Sequence, residues 1–121
     1  MQEKIVTSYK ELIVWQRSME LVVEVYKLTE KYQKSEIYGL TSQSRRSAVS
    51  IPSNIAEGRM TSTRKDFKQF LIIAFASGAE LETQIEIAKR LRYGNEDDFK
   101  KADGLLLEVM KMLNKMIQSL S

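Results

Sequence analysis

The hydrophobic and polar positions repeat with the period of an α-helix along most of the chain. Between residues 38 and 58, apolar and small side chains share one arc of a helix, and polar side chains occupy the opposite arc. The residues on the apolar arc are Leu40, Ser44, Ala48, Ile51 and Ile55. This phase continues past Pro52, although a proline removes one backbone hydrogen bond. The pattern therefore predicts a single helix that is kinked at Pro52 and ends at Gly58.

Three further helices are predicted from N-terminal capping signals. In each, a hydroxyl or amide side chain is followed three residues later by a carboxylate. These helices start at Ser8, Thr63 and Asn95. The helix that starts at Ser8 extends to about Tyr32, and the helix that starts at Thr63 extends to about Tyr93. No strand-like alternation occurs in the sequence. Short connections between four helices predict an all-α, antiparallel up-down four-helix bundle, a single domain over 1–121 with a flexible N-terminus at 1–7.

The first and third predicted helices each carry two apolar stripes, whereas a helix of a monomeric bundle needs one. We assign the main stripe of each helix to the core and the second stripe to contacts with another copy of the chain. In the first helix the main stripe consists of Leu12, Trp15, Met19, Val22, Val23 and Tyr26. In the third helix it consists of Phe67, Phe70, Leu71, Ala74, Gly78, Leu81, Ile85 and Ala88. The predicted interface residues are Val14, Leu21, Val25, Leu28, Ile72, Ala76, Ala79 and Ile87. We therefore predict a homo-oligomer, which the double change Val14→Lys with Leu21→Lys should dissociate without unfolding the protomer.

The composition narrows the range of activities. The chain has no cysteine and no histidine, so thiolate chemistry and the commonest general base and metal ligand are all excluded. No apolar run approaches the ~20 residues of a membrane span, and residues 1–7 lack the apolar core of a signal peptide. We expect a cytoplasmic protein that is not an enzyme, holds no cofactor and does not contact a membrane.

The net charge of +3 is concentrated in one part of the chain. Residues 45–68 hold six basic and two acidic side chains, while the segment before them is neutral and the segment after them carries −1. Such a patch can bind the phosphates of nucleic acid. The candidate residues are Arg45, Arg46, Arg59, Arg64, Lys65 and Lys68.

Each candidate also has a structural interpretation. The arginine pair at 45 and 46 could form an ion pair with Glu57 or Glu80, and the basic turn that follows could be ordinary solvated surface. Two functions therefore stay open. One is an oligomer that binds RNA or DNA, and the other is an oligomeric protein-interaction module with a protein partner.

Three blocks of the sequence resemble a known family. They span residues 8–17, 38–58 and 80–84, and the middle block contains Arg45-Arg46-Ser47-Ala48-Val49-Ser50-Ile51-Pro52-Ser53-Asn54-Ile55-Ala56-Glu57-Gly58. The chain resembles the four-helix-bundle family of 23S ribosomal RNA intervening-sequence proteins over about residues 8–93. The resemblance implies a small, bacterial, cytoplasmic homo-oligomer. Related accessory proteins of diversity-generating retroelements resemble basic pentameric barrels, which implies a homopentamer that binds RNA or DNA and a protein such as a reverse transcriptase.

Overall fold

The computed structural model describes residues 8–61 and 63–121 and contains four α-helices within them. Helix α1 spans Ile13–Thr29, α2 spans Leu40–Arg59, α3 spans Arg64–Arg90 and α4 spans Glu96–Ser119. Short 3₁₀ turns at Tyr9–Glu11 and Lys34–Glu36 precede α1 and α2, and the described ranges contain no strand. The prediction of an all-α four-helix fold is confirmed. The expectation of a flexible segment at residues 1–7 lies outside the described residues.

Two of the three predicted caps start α-helices. The Thr63 hydroxyl oxygen accepts a hydrogen bond from the Asp66 N–H at 3.0 Å, and Asn95 and Asp98 form a reciprocal capping box. Ser8 behaves differently, because its hydroxyl oxygen accepts from the Lys10 N–H and caps only the first 3₁₀ turn. Helix α1 begins at Ile13 because Leu12 is extended, with φ −74° and ψ 126°. The predicted start of the first helix was therefore too early.

Three of the predicted helix ends also move, and α1 ends at Thr29 rather than at about Tyr32. Helix α2 continues through Pro52 and ends at Arg59, one residue after the predicted stop, and the kink at Pro52 stays a prediction. At the end of α3, Arg92 adopts a left-handed conformation with φ 59°. The Tyr93 N–H then donates to the Ala88 carbonyl at 3.0 Å, and the Arg92 N–H donates to the Lys89 carbonyl at 3.0 Å. This is a Schellman motif, with arginine in the position that glycine usually takes, so α3 ends at Arg90, before the predicted end at about Tyr93.

Each helix packs against two others, in the order α1, α2, α3, α4 around the bundle. Near the start of α1, Arg17 forms an ion pair with Glu108 in the second half of α4. Just after the end of α1, Lys31 forms one with Asp98 in the first turn of α4. These pairs show that α1 and α4 are antiparallel, while the up-down arrangement of all four helices stays a prediction.

Helices α2 and α3 approach each other closely, because small residues line their contact. The Ser50 and Ser77 hydroxyl oxygens are 2.8 Å apart. A Cβ atom added to Gly58 would lie 2.6 Å from the Phe70 Cβ and 3.1 Å from a ring carbon of Phe67. Gly58 is thus required for the close packing of α2 against α3 rather than for ending α2.

The structure reverses the assignment of the two stripes of α1. All four predicted interface residues of this helix, Val14, Leu21, Val25 and Leu28, are at most 3% exposed and belong to the core of the protomer. Part of the opposite stripe lies at the surface, where Met19 is 40%, Val23 is 51% and Tyr26 is 42% exposed, while Leu12, Trp15 and Val22 are half-buried against the core. The interface prediction was wrong for α1, since α2 and α4 pack against the other side of the helix. Lysines at positions 14 and 21 would enter the core and unfold the protomer.

On α3 the assignment of stripes agrees with the structure. Leu71, Ala74, Leu81 and Ile85 are buried in the core. The second stripe lies on the outer surface and consists of Ile72, Ala76, Ala79 and Ile87. Its role as an interface stays a prediction.

Among the described residues, no helix combines the length and the apolar character needed to cross a bilayer.

Candidate nucleic-acid interface and arginine cleft

The structure separates the six predicted nucleic-acid residues into two groups along α2. One group, which we call the basic turn, consists of Arg59, Arg64, Lys65 and Lys68 and joins the end of α2 to the start of α3. The other group, Arg45 and Arg46, lies in the second turn of α2. At a rise of 1.5 Å per residue, Arg45 and Arg59 are about 20 Å apart along the helix axis. The six residues therefore lie in two separate groups rather than in one patch.

The basic turn is held by local hydrogen bonds at both of its edges. The Thr61 hydroxyl donates to the Gly58 carbonyl at 2.6 Å, and Thr63 caps α3 as described above. The first turn of α3 then presents backbone N–H groups and the positive end of the helix dipole beside Arg64 and Lys65. Ser62 lies outside the described residues.

The four cations of the basic turn take part in none of the ion pairs within residues 8–61 and 63–121. The Arg64 guanidinium donates to the Ser119 carbonyl at the end of α4, with 3.5 Å between the two atoms. Two exposed carboxylates, Glu57 and Asp66, are close to the basic turn in the sequence. The turn therefore combines unpaired positive charge with a helix N-terminus.

Arg45 is held at the end of α1. Its Nε donates to the Thr29 hydroxyl at 2.8 Å, and its Nη2 donates to the Glu30 carboxylate at 3.2 Å and to the Tyr26 carbonyl at 3.4 Å. The guanidinium also lies 4.5 Å from the centre of the Tyr26 ring, which adds a cation–π contact. The expected partners Glu57 and Glu80 were wrong for Arg45, whose ion pair is with Glu30. Arg46 is exposed and forms no ion pair in the described part of the chain.

Arg45 borders a cleft of about 360 Å³ between the end of α1 and the start of α2, which we call the arginine cleft. Its walls are formed by Thr29, Glu30, Tyr32, Gln33, Lys34, Ile37, Thr41 and Arg45. A shallower depression beside it is lined by Tyr26, Ile37, Thr41, Ser42, Arg45, Arg46 and Val49. Sequence reasoning identified the arginines but missed Thr29, Lys34 and Thr41. The pattern around these three residues carries no signal, because a chain reversal brings them together.

Hydrogen bonds and ion pairs tie down the end of the bundle that contains the arginine cleft. The Tyr93 hydroxyl donates to the Glu36 carboxylate at 2.6 Å, and the Leu40 N–H donates to the same carboxylate at 2.9 Å. The bond from Tyr93, with a smaller effect from the Leu40 amide, lowers the pKa of Glu36. The same bond raises the pKa of Tyr93. Lys31 likewise lowers the pKa of Asp98.

Tyr32 is a further buried group at this end. It packs against Tyr93 with 5.4 Å between ring centres, and its hydroxyl has no hydrogen-bond partner in the described residues. Burial, with a smaller effect from Asp103, raises the pKa of Tyr32 to about 12. Tyr32 therefore stays neutral and serves packing rather than acid–base chemistry near neutral pH.

A second exposed feature is apolar. We call it the outer apolar face and define it by Met19, Val23 and Tyr26 on α1 and by Val49 on α2. The side chains of Tyr26 and Val49 line the same depression, so the face bridges the two helices. Trp15 lies half-buried on the same stripe of α1, edge-on to Tyr9. Exposed apolar surface shared by two helices is typical of a protein contact site.

The comparisons with known proteins agree on one family. The family model of the 23S rRNA-intervening sequence protein matches residues 10–115. Among solved structures, the chain is similar to a protein of unknown function from the S23 ribosomal protein family of Bacteroides thetaiotaomicron VPI-5482. The two chains are 27% identical, with a TM-score of 0.78 over 87% of this chain and 98% of that chain. No curated protein matches significantly. The chain belongs to the 23S rRNA-intervening sequence protein family.

Proposed function

We propose that the protein is a non-enzymatic, homo-oligomeric scaffold that binds RNA or DNA through the basic turn. The observation that carries this proposal is the absence of an ion pair at Arg59, Arg64, Lys65 and Lys68 within the described residues. Cations that are not neutralised by a neighbouring carboxylate are available to phosphate, and each contact releases counterions from the nucleic acid.

The chemistry of the turn favours binding to the phosphate backbone over the reading of bases. Phe67 and Phe70 are the nearest aromatic side chains, and both pack against Gly58 in the contact between α2 and α3. They are therefore not available to stack on bases. Phosphate contacts without base contacts give little sequence preference.

Self-association would strengthen this binding. One protomer offers four cations, so its affinity is expected to be weak, whereas a closed ring repeats the patch once per subunit. Linked contacts of this kind raise the apparent affinity by roughly 10²- to 10⁴-fold.

A salt titration tests the proposal. Binding of a short RNA or DNA is expected to weaken steeply as salt is raised, and Lys65→Glu should weaken it further at every salt concentration. Lys100→Glu is the matched control, because Lys100 is also an exposed helical lysine outside the ion pairs of the described residues. If the two variants bind alike, or if binding does not depend on salt, the basic turn is ordinary surface.

A second function, a protein-interaction module, is favoured by the outer apolar face. The occupant of this face would be a protein, either another copy of the chain or a different partner. Light scattering should give a mass above that of one protomer, and Val23→Lys should lower it. Leu107→Lys is the control, because Leu107 is an equally exposed apolar residue on α4, away from this face. A monomer mass for the unmodified protein would exclude self-association as its role.

A further inference from the structure

We propose that the arginine cleft is a second anion site, separate from the basic turn, that binds a terminal phosphate monoester such as that of a nucleotide.

The guanidinium of Arg45 is already positioned for such a ligand. Its side chain is 21% exposed and is fixed by Thr29, the Tyr26 carbonyl and the Tyr26 ring. Its Nη1 has no partner in the described residues, and its Nη2 is shared between two acceptors. A fixed, planar guanidinium binds the oxygens of phosphate in pairs and loses little conformational entropy on binding.

Thr41 supplies the second element of the site. The residue is 3% exposed and lines the cleft, yet its hydroxyl has no hydrogen-bond partner in the described part of the chain. The Thr41 hydroxyl oxygen is not fully enclosed, so the small exposed surface of this residue includes the hydroxyl group. Buried hydroxyl groups are normally hydrogen-bonded, and a ligand oxygen in the cleft would satisfy this one.

The start of α2 adds backbone donors. Thr41 and Ser42 are in the first turn of this helix, where N–H groups have no acceptor within the helix. The Leu40 N–H is occupied by Glu36, so the available amides are those of Thr41, which lines the cleft, and of Ser42, which lines the adjoining depression. Together with Arg45 and the Thr41 hydroxyl, they supply several donors for the oxygens of a terminal phosphate.

The charges around the cleft are mixed, and one of them competes with the ligand. Lys34 lines the cleft and Arg46 lies in the adjoining depression, while Glu30 and Glu36 contribute negative charge. Glu30 is 77% exposed and is held only by Arg45, so its carboxylate occupies part of the guanidinium as an internal anion. Glu36 is turned to Tyr93 and Leu40. Displacement of Glu30 by a phosphate leaves that carboxylate in water.

The size of the cleft favours a ligand larger than inorganic phosphate. Its volume of about 360 Å³ leaves room for a sugar or base beyond the phosphate, and Ile37 and Tyr32 form an apolar wall. A nucleotide has both parts, a doubly charged phosphate and a flat, weakly polar body.

Nuclear magnetic resonance titration tests the site directly. Adenosine monophosphate should shift the amide signals of Thr41 and Ser42 and the Arg45 Nε–H signal in a saturable manner, whereas adenosine should not.

Inorganic phosphate and an oligonucleotide with or without a 5′-phosphate identify the source of the ligand. Equal binding of inorganic phosphate and the nucleotide assigns the site to free phosphate, and preference for the 5′-phosphorylated strand assigns it to nucleic-acid ends. No saturable shift with any phosphate overturns the proposal.

Variants separate binding from folding. Arg45→Gln should weaken phosphate binding by at least about tenfold, the value of one charge-assisted hydrogen bond. Because Arg45 also joins α2 to α1, two milder variants keep the test valid if this one unfolds. Thr41→Val should weaken binding with the fold intact, and Glu30→Gln should strengthen it by removing the internal competitor. A merely structural role of Arg45 predicts no gain from Glu30→Gln, so an unchanged affinity contradicts the site.

Lys65→Glu serves as the control for the other site. It should leave the shifts at Thr41 and Ser42 unchanged, because the basic turn lies at the far end of α2. Loss of both responses in this variant would show that there is one site rather than two.

Discussion

The two ends of the bundle use their charged residues in different ways. At the end with the α1–α2 and α3–α4 connections, which we call the paired end, Lys31 binds Asp98, Lys89 binds Asp103 and Arg45 binds Glu30. At the end with the basic turn, Arg17 binds Glu108, but the four cations of the turn itself have no carboxylate partner within the described residues, and close packing around Gly58 holds α2 against α3. Charge at the paired end joins elements together, while the charge of the basic turn is not neutralised by any carboxylate of the described residues.

This difference indicates where stability and binding can be changed separately. Substitution of the unpaired cations removes no ion pair of the described residues, so surface charge changes there should leave the fold intact. Substitutions at the paired end remove bonds between connections.

The largest effect is expected at the backbone contact below the basic turn. Gly58→Ala places a Cβ 2.6 Å from the Phe70 Cβ, which forces α2 and α3 apart. Overpacking of this kind costs about 1–3 kcal/mol, offset only partly by the ~0.5–1 kcal/mol that alanine gains over glycine in a helix. Chemical denaturation should therefore show a lower free energy of unfolding.

Gly104→Ala is the matched control for that variant. A Cβ at Gly104 meets no atom within 4 Å, and the residue is exposed in the interior of α4. The same change should here raise the free energy of unfolding by about 0.5–1 kcal/mol. Equal effects at the two glycines would contradict the close contact between α2 and α3.

The next effect is expected from the cap at the paired end. Asn95→Ala removes one half of the capping box of α4 and should lower the free energy of unfolding by about 1 kcal/mol. Asn114→Ala, an exposed position inside the same helix, should instead leave stability unchanged or slightly higher. Thermal unfolding of both variants gives the comparison, and a loss at Asn114 as large as that at Asn95 would argue against a capping role.

A smaller gain is expected at the end of α3. Arg92 has φ 59°, which a side chain with a Cβ adopts at a cost, so Arg92→Gly should raise the free energy of unfolding by about 0.5–1 kcal/mol. Arg90→Gly, two residues earlier in right-handed helix, should lower it by about 1 kcal/mol. Denaturant midpoints of the two variants should shift in opposite directions.

The smallest effect is a change in the acid part of the stability profile. The Tyr93 hydroxyl lowers the pKa of Glu36 below its ordinary value of 4.5. Because the pKa of Glu36 is lower in the folded state than in the unfolded state, its ionised carboxylate stabilises the fold above pH 4.5. This stabilisation is lost as the pH falls through the pKa of Glu36 in the folded state. Tyr93→Phe should flatten this acid loss, as followed by urea unfolding between neutral and acid pH. Lys65→Gln at the basic turn should keep the acid loss of the unmodified protein.

The periodicity of the sequence was sufficient to predict the four helices, but not to predict which side of α1 faces the core. Both stripes of α1 are apolar and lie nearly opposite each other, so local pattern cannot rank them. The choice depends on where α2 and α4 lie, which is information held elsewhere in the chain. For α3 the second stripe, Ile72, Ala76, Ala79 and Ile87, is short and half alanine, so the pattern indicated that the other stripe is the buried one.

The candidate sites show the same limit. The excess of positive charge between residues 45 and 68 was visible in the sequence, but its division into two sites follows from the length of α2. The partner of Arg45 was missed because Glu30 is reached across a chain reversal rather than along one helix. Likewise, no signal in the sequence indicated the left-handed residue Arg92 that follows the end of α3, since arginine rarely takes this conformation.

Trp15 gives the molecule a built-in optical probe. It is the only tryptophan of the chain, it is half-buried on the exposed stripe of α1, and it lies 5.4 Å from the Tyr9 ring in an edge-on arrangement. Its emission therefore reports from one defined place beside the outer apolar face. Burial of that face should shift the emission to shorter wavelength, so association can be followed in dilute solution without a label.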